Sequence, residues 1–430
     1  MNSQHNPQHA LQLTQSDLHV NASSRWRRAP AVFVLLGLMG LGMLASSAQQ
    51  QAMASMHAYL FAFATCLCVA LGCLMFVLLQ HLSRAGWSVV VRRLAESVAA
   101  ALPLFVLLLV PIVLWQDKLF VWQHMPHDAL VQAKAPYLNA PFFTVRSVLY
   151  VCLFAAMGVW YYALSVRQDN NKHPQLSLRM RACTPVSLIL FGLAVTFASF
   201  DWIMSLQPHW YSTIFGVLIF AGCVISGLSA VIILCIALQA SGYLPCVRCA
   251  HYYDLGKLLF GFTVFWAYIA FSQFMLQWYA AIPEEVAFYH HRLHGGWKTL
   301  SWAMPVTHFF IPFFLLLSQR AKRNRIVLCV AAVWTLAMHA LHMAWLILPT
   351  IAEHAHAAAS HGEAHGAKLA GMHHASQSVG HVAELAAASL WAMLGVGGLF
   401  VAAALFILLR RPLVPAGDPL LQESLHAQGL

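Results

Sequence analysis

Long apolar stretches alternate with short polar segments along the whole chain, which has 430 residues. Crossing a bilayer as a helix takes about 20 predominantly apolar residues. Runs of this length with Gly and Pro inside predict helices, because the strands of a membrane barrel would alternate apolar and polar positions over about ten residues. The pattern predicts an all-α, polytopic membrane protein. The predicted spans are 31–48, 57–81, 94–116, 142–166, 183–206, 210–239, 255–281, 300–318, 325–349 and 386–409.

Composition supports this fold class. Hydrophobic residues make up 60% of the chain and charged residues 9%, whereas a soluble domain carries about a quarter charged residues. No segment is long and polar enough to form a soluble domain of catalytic size. The predicted organisation is a polar N-terminal segment (1–30), one transmembrane domain (31–411) with a His-rich outer loop (350–385), and a C-terminal tail (412–430).

The distribution of positive charge predicts the orientation. The net charge is +10, and 18 Lys and Arg residues fall at one set of alternate loops against 5 at the other, with Arg146 inside a helix. Loops rich in Lys and Arg stay in the cytoplasm. Both termini are therefore predicted to be cytoplasmic. Topology accounts for the basic excess, so the charge gives no support for a nucleic-acid partner.

The first span has two interpretations. Arg-rich residues, a short apolar run and Ala45-Ser46-Ser47-Ala48 resemble a signal peptide with a small-residue cleavage site. The polar segment of about 30 residues before it is long for such a peptide. We therefore favour a retained first helix.

Several polar groups fall in the predicted outer half of the membrane, where ionisable residues are costly and are candidates for function. Asp201 could accept a proton, Arg146 could hold it ionised, and His308 or His339 could hydrogen-bond a quinone. These groups would form a proton path or a quinol pocket. The alternative is that they are helix-packing hydrogen bonds. We prefer that alternative for the three remaining polar residues of this half, Gln273, Gln277 and His342.

Three further candidates lie at predicted cytoplasmic helix ends. Asp254 and Lys257 are three residues apart and can pair on one helix face. We interpret that pair as a cap and anchor. Glu96 could instead belong to a proton entrance.

Metal and haem sites are weakly indicated. Cys246 and Cys249 form one C-x-x-C beside His251, without the second pair that a zinc site needs. The histidines of 350–385 have no fixed ligand spacing, and there is no C-x-x-C-H or four-cysteine run. A haem held by His308, His339 or His342 is a less favoured alternative. The prediction is no metal and no cofactor in this chain.

The loop 280–299 is short, charged and aromatic, which predicts a contact surface for a partner on the outer side. It contains Ala280-Ala281-Ile282-Pro283-Glu284-Glu285 and Tyr289-His290-His291-Arg292.

Three strings resemble a known family. The first is Phe200-Asp201-Trp202-Ile203-Met204-Ser205-Leu206-Gln207-Pro208-His209-Trp210-Tyr211-Ser212-Thr213. The second is Tyr253-Asp254-Leu255-Gly256-Lys257-Leu258-Leu259-Phe260, and the third is Phe265-Trp266-Ala267-Tyr268-Ile269-Ala270-Phe271-Ser272-Gln273-Phe274, followed by Trp278-Tyr279. They resemble the F subunit of alternative complex III, a relative of polysulfide-reductase-type membrane anchors. The resemblance is densest over 183–300.

The resemblance implies a membrane subunit, without cofactors of its own, of a quinol:cytochrome c oxidoreductase in a bacterial inner membrane. The implied fold is two four-helix bundles plus two additional helices. The implied partners are other membrane subunits, an iron–sulfur subunit, c-type cytochrome subunits and a terminal oxidase. Haem c and the iron–sulfur clusters would lie in those partners, and this chain would support quinol oxidation through proton translocation or as a scaffold. A secondary transporter and a purely structural membrane anchor are the alternatives.

Overall fold

The computed structural model describes residues 13–21, 23–49, 51–171, 174–293, 296–351 and 379–426. Within these ranges there is no strand, and ten helices are long and apolar enough to cross a membrane. Each overlaps one predicted span, so the all-α polytopic prediction is confirmed. Residues 1–12 of the predicted N-terminal segment and 352–378 of the predicted His-rich loop lie outside the description. The helices are α1 Arg25–Ala48, α2 Ala52–Ser83, α3 Gly86–Leu114, α4 Ala140–Asn170, α5 Pro174–Leu206, α6 Phe215–Ala240, α7 Cys249–Ala280, α8 Trp297–Leu317, α9 Arg325–Ile347 and α10 Glu384–Leu408.

The helices form two four-membered rings. In the first ring α2 contacts α3, α3 contacts α4, α4 contacts α5, and α5 returns to α2. In the second ring α6 contacts α7 and α9, and α8 packs between α7 and α9. Helices α2 and α6 join the rings, while α1 pairs with α10 and both lie against α2. This is the expected arrangement of two four-helix bundles plus two additional helices.

Glycine permits the close contact between the bundles. A Cβ placed on Gly72 of α2 would lie 1.8 Å from the carbonyl oxygen of Cys223 in α6, and one on Gly227 would lie 2.4 Å from the carbonyl carbon of Gly72. The two backbones therefore touch directly. Small residues at such crossings are the usual means of tight helix packing in membranes, where lipid provides no hydrophobic drive.

Helix α1 packs closely against α10 in the same way, through glycines. A Cβ on Gly40 would lie 2.4 Å from the backbone nitrogen of Gly395. Helix α1 is otherwise mostly exposed, with residues such as Leu35 and Leu38 pointing away from the chain. Its inner face thus has a defined packing partner in α10.

Two membrane helices are irregular at prolines. Helix α3 is interrupted by turns at residues 100–103, where Pro103 has no N–H to donate. In α8 the backbone adopts a π-helix over Pro305–Phe310. Short π segments inside α-helices are frequent at functional sites.

Because ten helices alternate in direction, both described ends of the chain lie on one side, here called the terminal side; the opposite side is the distal side. The two ends contact each other there, since Leu413 donates its N–H to the carbonyl of Leu18 at 2.8 Å. Asp17 accepts from the backbone N–H of Cys246 at 2.8 Å. Burial raises the pKa of Asp17, but hydrogen bonds from Thr14 and Cys246 outweigh burial and leave that pKa below its usual value.

Candidate functional site

A buried ion pair joins α4 and α5 near the distal side. Arg146 Nε lies 2.8 Å from Asp201 Oδ2, and Arg146 Nη2 lies 2.9 Å from Asp201 Oδ1. Asp201 is 0% exposed and Arg146 is 7% exposed. This two-pronged geometry is the strongest form of an Arg–carboxylate contact. The structure therefore brings together two of the predicted site residues, and in the predicted pairing.

Aromatic groups enclose this pair. The hydroxyl of Tyr150 donates to Asp201 Oδ2 at 3.0 Å, and Arg146 Nη1 donates to the carbonyl of Tyr137 at 2.9 Å. The guanidinium lies 3.8 Å from the ring centre of Tyr137 and 4.2 Å from that of Phe142. Burial, and secondly the Asp201 carboxylate, raises the pKa of Tyr137 to about 12. Tyr137 is thus a neutral neighbour of the pair at physiological pH.

The hydrogen bonds limit what Asp201 can do as it stands. Three donors already use its two carboxylate oxygens. A carboxylate in this state stabilises the contact between α4 and α5, and protonating it would remove the charge that faces Arg146. The geometry suits a structural ion pair and equally a proton site that opens by a side-chain rearrangement.

A second set of polar groups lies inside the α6–α9 bundle, around Trp266 of α7. The His308 ring of α8 stacks on the Trp266 indole, with ring centres 3.8 Å apart and planes at 20°. His342 of α9 lies edge-on to both, 5.1 Å from Trp266 and 5.6 Å from His308. His339 lies on the same helix, one turn before His342, and touches the α6 position Gly222.

One of these histidines, His308, is buried without a partner in the described part of the chain. Both of its ring nitrogens and the indole N–H of Trp266 make no hydrogen bond there, whereas His339 lies beside the Cys68 thiol. Each buried polar atom left unsatisfied costs about 1–3 kcal/mol, so native proteins keep few of them. His308 also sits on the π-helical segment Pro305–Phe310. The cluster can therefore hydrogen-bond water or a polar guest without breaking an existing bond.

A third set is a buried charge network on the terminal side. Arg92 pairs with Glu96 at 2.9 Å and with Asp418, while Arg93 lies 3.1 Å from Glu96 and 2.9 Å from Asp169. The side chains of Arg92 and Arg93 are almost completely buried. Glu96, the predicted proton-entrance candidate, is thus placed between two guanidinium groups.

The C-terminal segment covers this network on the terminal side. Asp418 is the only one of these groups that comes from the tail predicted at 412–430. A Cβ on Gly417 would lie 2.0 Å from the carbonyl oxygen of Gln168, so the tail passes directly over the end of α4. Ser424 donates to the carbonyl of Trp87 at 2.7 Å, and His251 donates to the carbonyl of Ser424 at 3.0 Å.

The remaining predicted residues make local contacts. Lys257 Nζ lies 2.6 Å from Asp254 Oδ1 on one face of α7, and the lysine side chain is 42% exposed. The pairing agrees with the spacing, but the helix begins at Cys249 with Arg248 at its N-cap, so Asp254 does not cap it. Gln273 accepts from the Ser212 hydroxyl at 3.1 Å, and Gln277 accepts from the Trp210 indole at 3.4 Å. Both glutamines therefore connect α7 to the α5–α6 turn.

The structure divides the predicted site residues into separate sets instead of one pocket. The ion pair belongs to the first bundle and the histidines to the second, with α6 in contact with α5, α7 and α9. The sequence analysis missed the second partner of Asp201, Tyr150, and the partners of Glu96. Tyr150 lies one turn after Arg146, and that i, i+4 spacing is a signal that could have identified it. No sequence signal connects Arg92 with Asp418, which are 326 residues apart.

Among the described residues, no three His, Cys, Asp or Glu side chains are grouped so that they could hold a metal ion. Cys246 binds Asp17 through its backbone, and the Cys249 thiol donates to the carbonyl of Arg323 at 3.3 Å. Comparison with protein-family models and with curated proteins gives no match to this chain.

Proposed function

We propose that this chain is an integral membrane subunit of a quinol:electron-acceptor oxidoreductase of the alternative complex III type, and that Asp201 takes part in proton handling. One observation carries the proposal. The string Phe200–Thr213, in which the resemblance is most specific, places its carboxylate fully buried in a membrane helix against Arg146. Buried ionisable groups at membrane depth are costly and mark ion or proton pathways.

The orientation follows from the charge distribution. The terminal side carries the Lys- and Arg-rich loops, so we infer that it faces the cytoplasm of a bacterial inner membrane. Asp201 then lies toward the outer face, where oxidation of a quinol would release protons. Protonation of Asp201 would weaken its pairing with Arg146, which would couple proton uptake to a change in this contact.

The histidine cluster has free hydrogen-bonding capacity among the described residues. The ring nitrogens of His308 and His339 would donate to a quinone carbonyl or accept from a quinol hydroxyl. Water molecules would satisfy them equally well. In this proposal haem c and iron–sulfur clusters belong to partner subunits, and this chain supplies membrane-embedded polar groups beside them.

The test is gentle purification of the tagged, full-length chain from its native membranes. A subunit of this kind should bring other membrane subunits, c-type haem absorbance and iron–sulfur signals in fixed ratio, together with quinol:cytochrome c activity. A chain that purifies alone and active in transport would identify a secondary transporter, whose binding site would use broken helices such as α3. That result would exclude the oxidoreductase proposal.

A purely structural anchor is the second candidate, because the two-pronged pair is well suited to holding α4 and α5 together. A variant that folds without a charge at position 146 or 201 distinguishes a structural role of the pair from a role in proton handling. Normal quinol turnover and proton stoichiometry in a folded Arg146→Gln, Asp201→Asn complex would assign the pair to structure alone.

A further inference from the structure

One exposed face of α7 is rich in aromatic side chains. Five of its exposed side chains follow steps of four and three residues, and three of these five are aromatic. We call this set the α7 stripe; it consists of Val264, Tyr268, Phe271, Met275 and Trp278. The exposed face of α5 provides a comparison on the same molecule. Its large exposed residues are almost entirely aliphatic, namely Val186, Ile189, Leu190, Leu193 and Phe197.

Tyr268 is the anomalous member of the stripe. Its side chain is 65% exposed, and it makes no hydrogen bond to any residue that the structure describes. Tyrosine normally sits at the membrane–water interfaces, where its hydroxyl meets water. A hydroxyl facing hydrocarbon has no partner, and such unsatisfied groups are avoided in the bilayer core.

The depth of Tyr268 can be worked out from the helix. Lys257 and Trp278 are residue types that mark the two membrane interfaces, and Tyr268 lies 11 residues from the first and 10 from the second. At 1.5 Å per residue these separations are about 16 Å and 15 Å. The hydrocarbon core is about 30 Å thick, so Tyr268 lies near its middle. From there the short side chain cannot bring its hydroxyl to either interface.

We propose that the α7 stripe is covered by a transmembrane helix of another subunit, and that this helix presents a hydrogen-bonding group to Tyr268 at mid-membrane depth. A Ser, Thr, Asn or Gln side chain or a backbone carbonyl freed at a helix kink would serve. A lipid acyl chain offers no such group. The identity of the occupant as a subunit of the same complex rests on the proposed function; the covered face itself does not.

The surface next to the stripe extends the contact beyond the membrane. The helix Pro283–Leu293 follows α7 directly on the distal side and has Glu284 and Glu285 in its first turn. Glu284 is exposed. A partner that continues past the bilayer here should therefore carry basic residues opposite these carboxylates, since rim charges of opposite sign set partner and register.

The experiment uses a photo-crosslinking amino acid, p-benzoylphenylalanine, placed at position 268 in the full chain and irradiated in native membranes. The matched control position is Leu193, which is 52% exposed on α5 and also near mid-membrane. We expect one main adduct from position 268, whose crosslinked peptide is a transmembrane segment of a different polypeptide, and no such adduct from position 193.

Three results would overturn the inference. These are the absence of a polypeptide adduct at 268, an adduct with a second copy of this chain, or the same mixture of adducts from both positions. A heterologous adduct from membranes in which the purified chain carries no haem or iron–sulfur signal would keep the interface and reject the oxidoreductase proposal. If the purified chain carries haem and iron–sulfur signals but position 268 gives no heterologous adduct, the interface is rejected and the oxidoreductase proposal is kept.

A pair of conservative variants tests the hydrogen bond itself. Tyr268→Phe should weaken retention of the crosslinked subunit about threefold across a detergent series, the average for one hydrogen bond between membrane helices. Tyr279→Phe removes a hydroxyl at the distal end of α7, where water is available, and should leave retention unchanged. Equal behaviour of the two variants would contradict a partner group opposite Tyr268.

Discussion

The substitution Asp201→Asn gives the sharpest test of the distal ion pair. It removes the charge that faces Arg146 while keeping nearly the same shape. Arg146 is 7% exposed, so its guanidinium would remain buried with the Tyr137 carbonyl and two aromatic rings as neighbours. Breaking a buried pair by removing one partner costs about 3–5 kcal/mol, since an uncompensated charge stays behind. We expect a loss of this size in the free energy of unfolding.

A double-mutant cycle separates the pair from its surroundings. Arg146→Gln alone leaves the carboxylate uncompensated and should cost a similar amount. The double variant Arg146→Gln, Asp201→Asn has no buried charge and should be hardly worse than either single variant. The resulting coupling energy is then nearly as large as one single-variant loss, about 3 kcal/mol or more, at or above the upper end for residues in contact.

The assay is reversible unfolding of the purified chain in mixed micelles with increasing SDS, followed by tryptophan fluorescence. The control is Lys257→Gln, which breaks a pair whose lysine is 42% exposed; exposed pairs contribute about 0–1 kcal/mol. An Asp201→Asn variant within about 1 kcal/mol of the parent would refute the reasoning, because it would mean that water reaches Arg146 in spite of its burial.

Four other predictions follow from the same contacts. Asp418→Asn removes one carboxylate from Arg92 and should speed cleavage of the C-terminal segment by protease added to the terminal side, whereas an unchanged rate would show that the tail does not depend on this contact. Gly227→Val should prevent folding because its backbone touches Gly72, and Gly261→Val, with open space around it, should fold normally; folding of both would contradict the close crossing. His308→Phe keeps the stack on Trp266 and removes two unpartnered nitrogens, so the free energy of unfolding should rise by about 1–3 kcal/mol, and a loss in SDS unfolding would reveal a partner for that ring. The pKa of Asp17 lies below its usual value of 3.8, so docking of the N-terminal segment should persist above pH 3.8 and be lost as the pH falls through the lower folded-state pKa; limited proteolysis of Asp17→Asn should lack this pH dependence.

The proposed roles of the three polar sets are independent of one another in this fold. The histidine cluster belongs to the second bundle, and the distal pair and the Arg92–Glu96 network belong to helices of the first. A variant in one set should therefore leave the stability contribution of the others unchanged, as for well-separated sites in general. Quinol turnover is the measurement that would connect them.

Sequence alone determined the number, position and helical nature of the membrane spans. This was possible because a helix in lipid satisfies its backbone hydrogen bonds within itself and must be apolar over its own length. Both properties are local. The same local reasoning identified Asp201 as a buried carboxylate, and the shared depth of Asp201 and Arg146 was enough to suggest that they pair.

Only the tertiary structure decided which polar groups meet. Hydropathy gives the depth of a residue but not the direction in which it points around its helix, so residues in the same half of the membrane, such as Asp201 and His339, could not be assigned to different bundles. The contact between Arg92 and Asp418 spans 326 residues, and the unpartnered hydroxyl of Tyr268 is recognisable only once its exposure is known. These features depend on how helices pack side by side, and no local pattern encodes that packing.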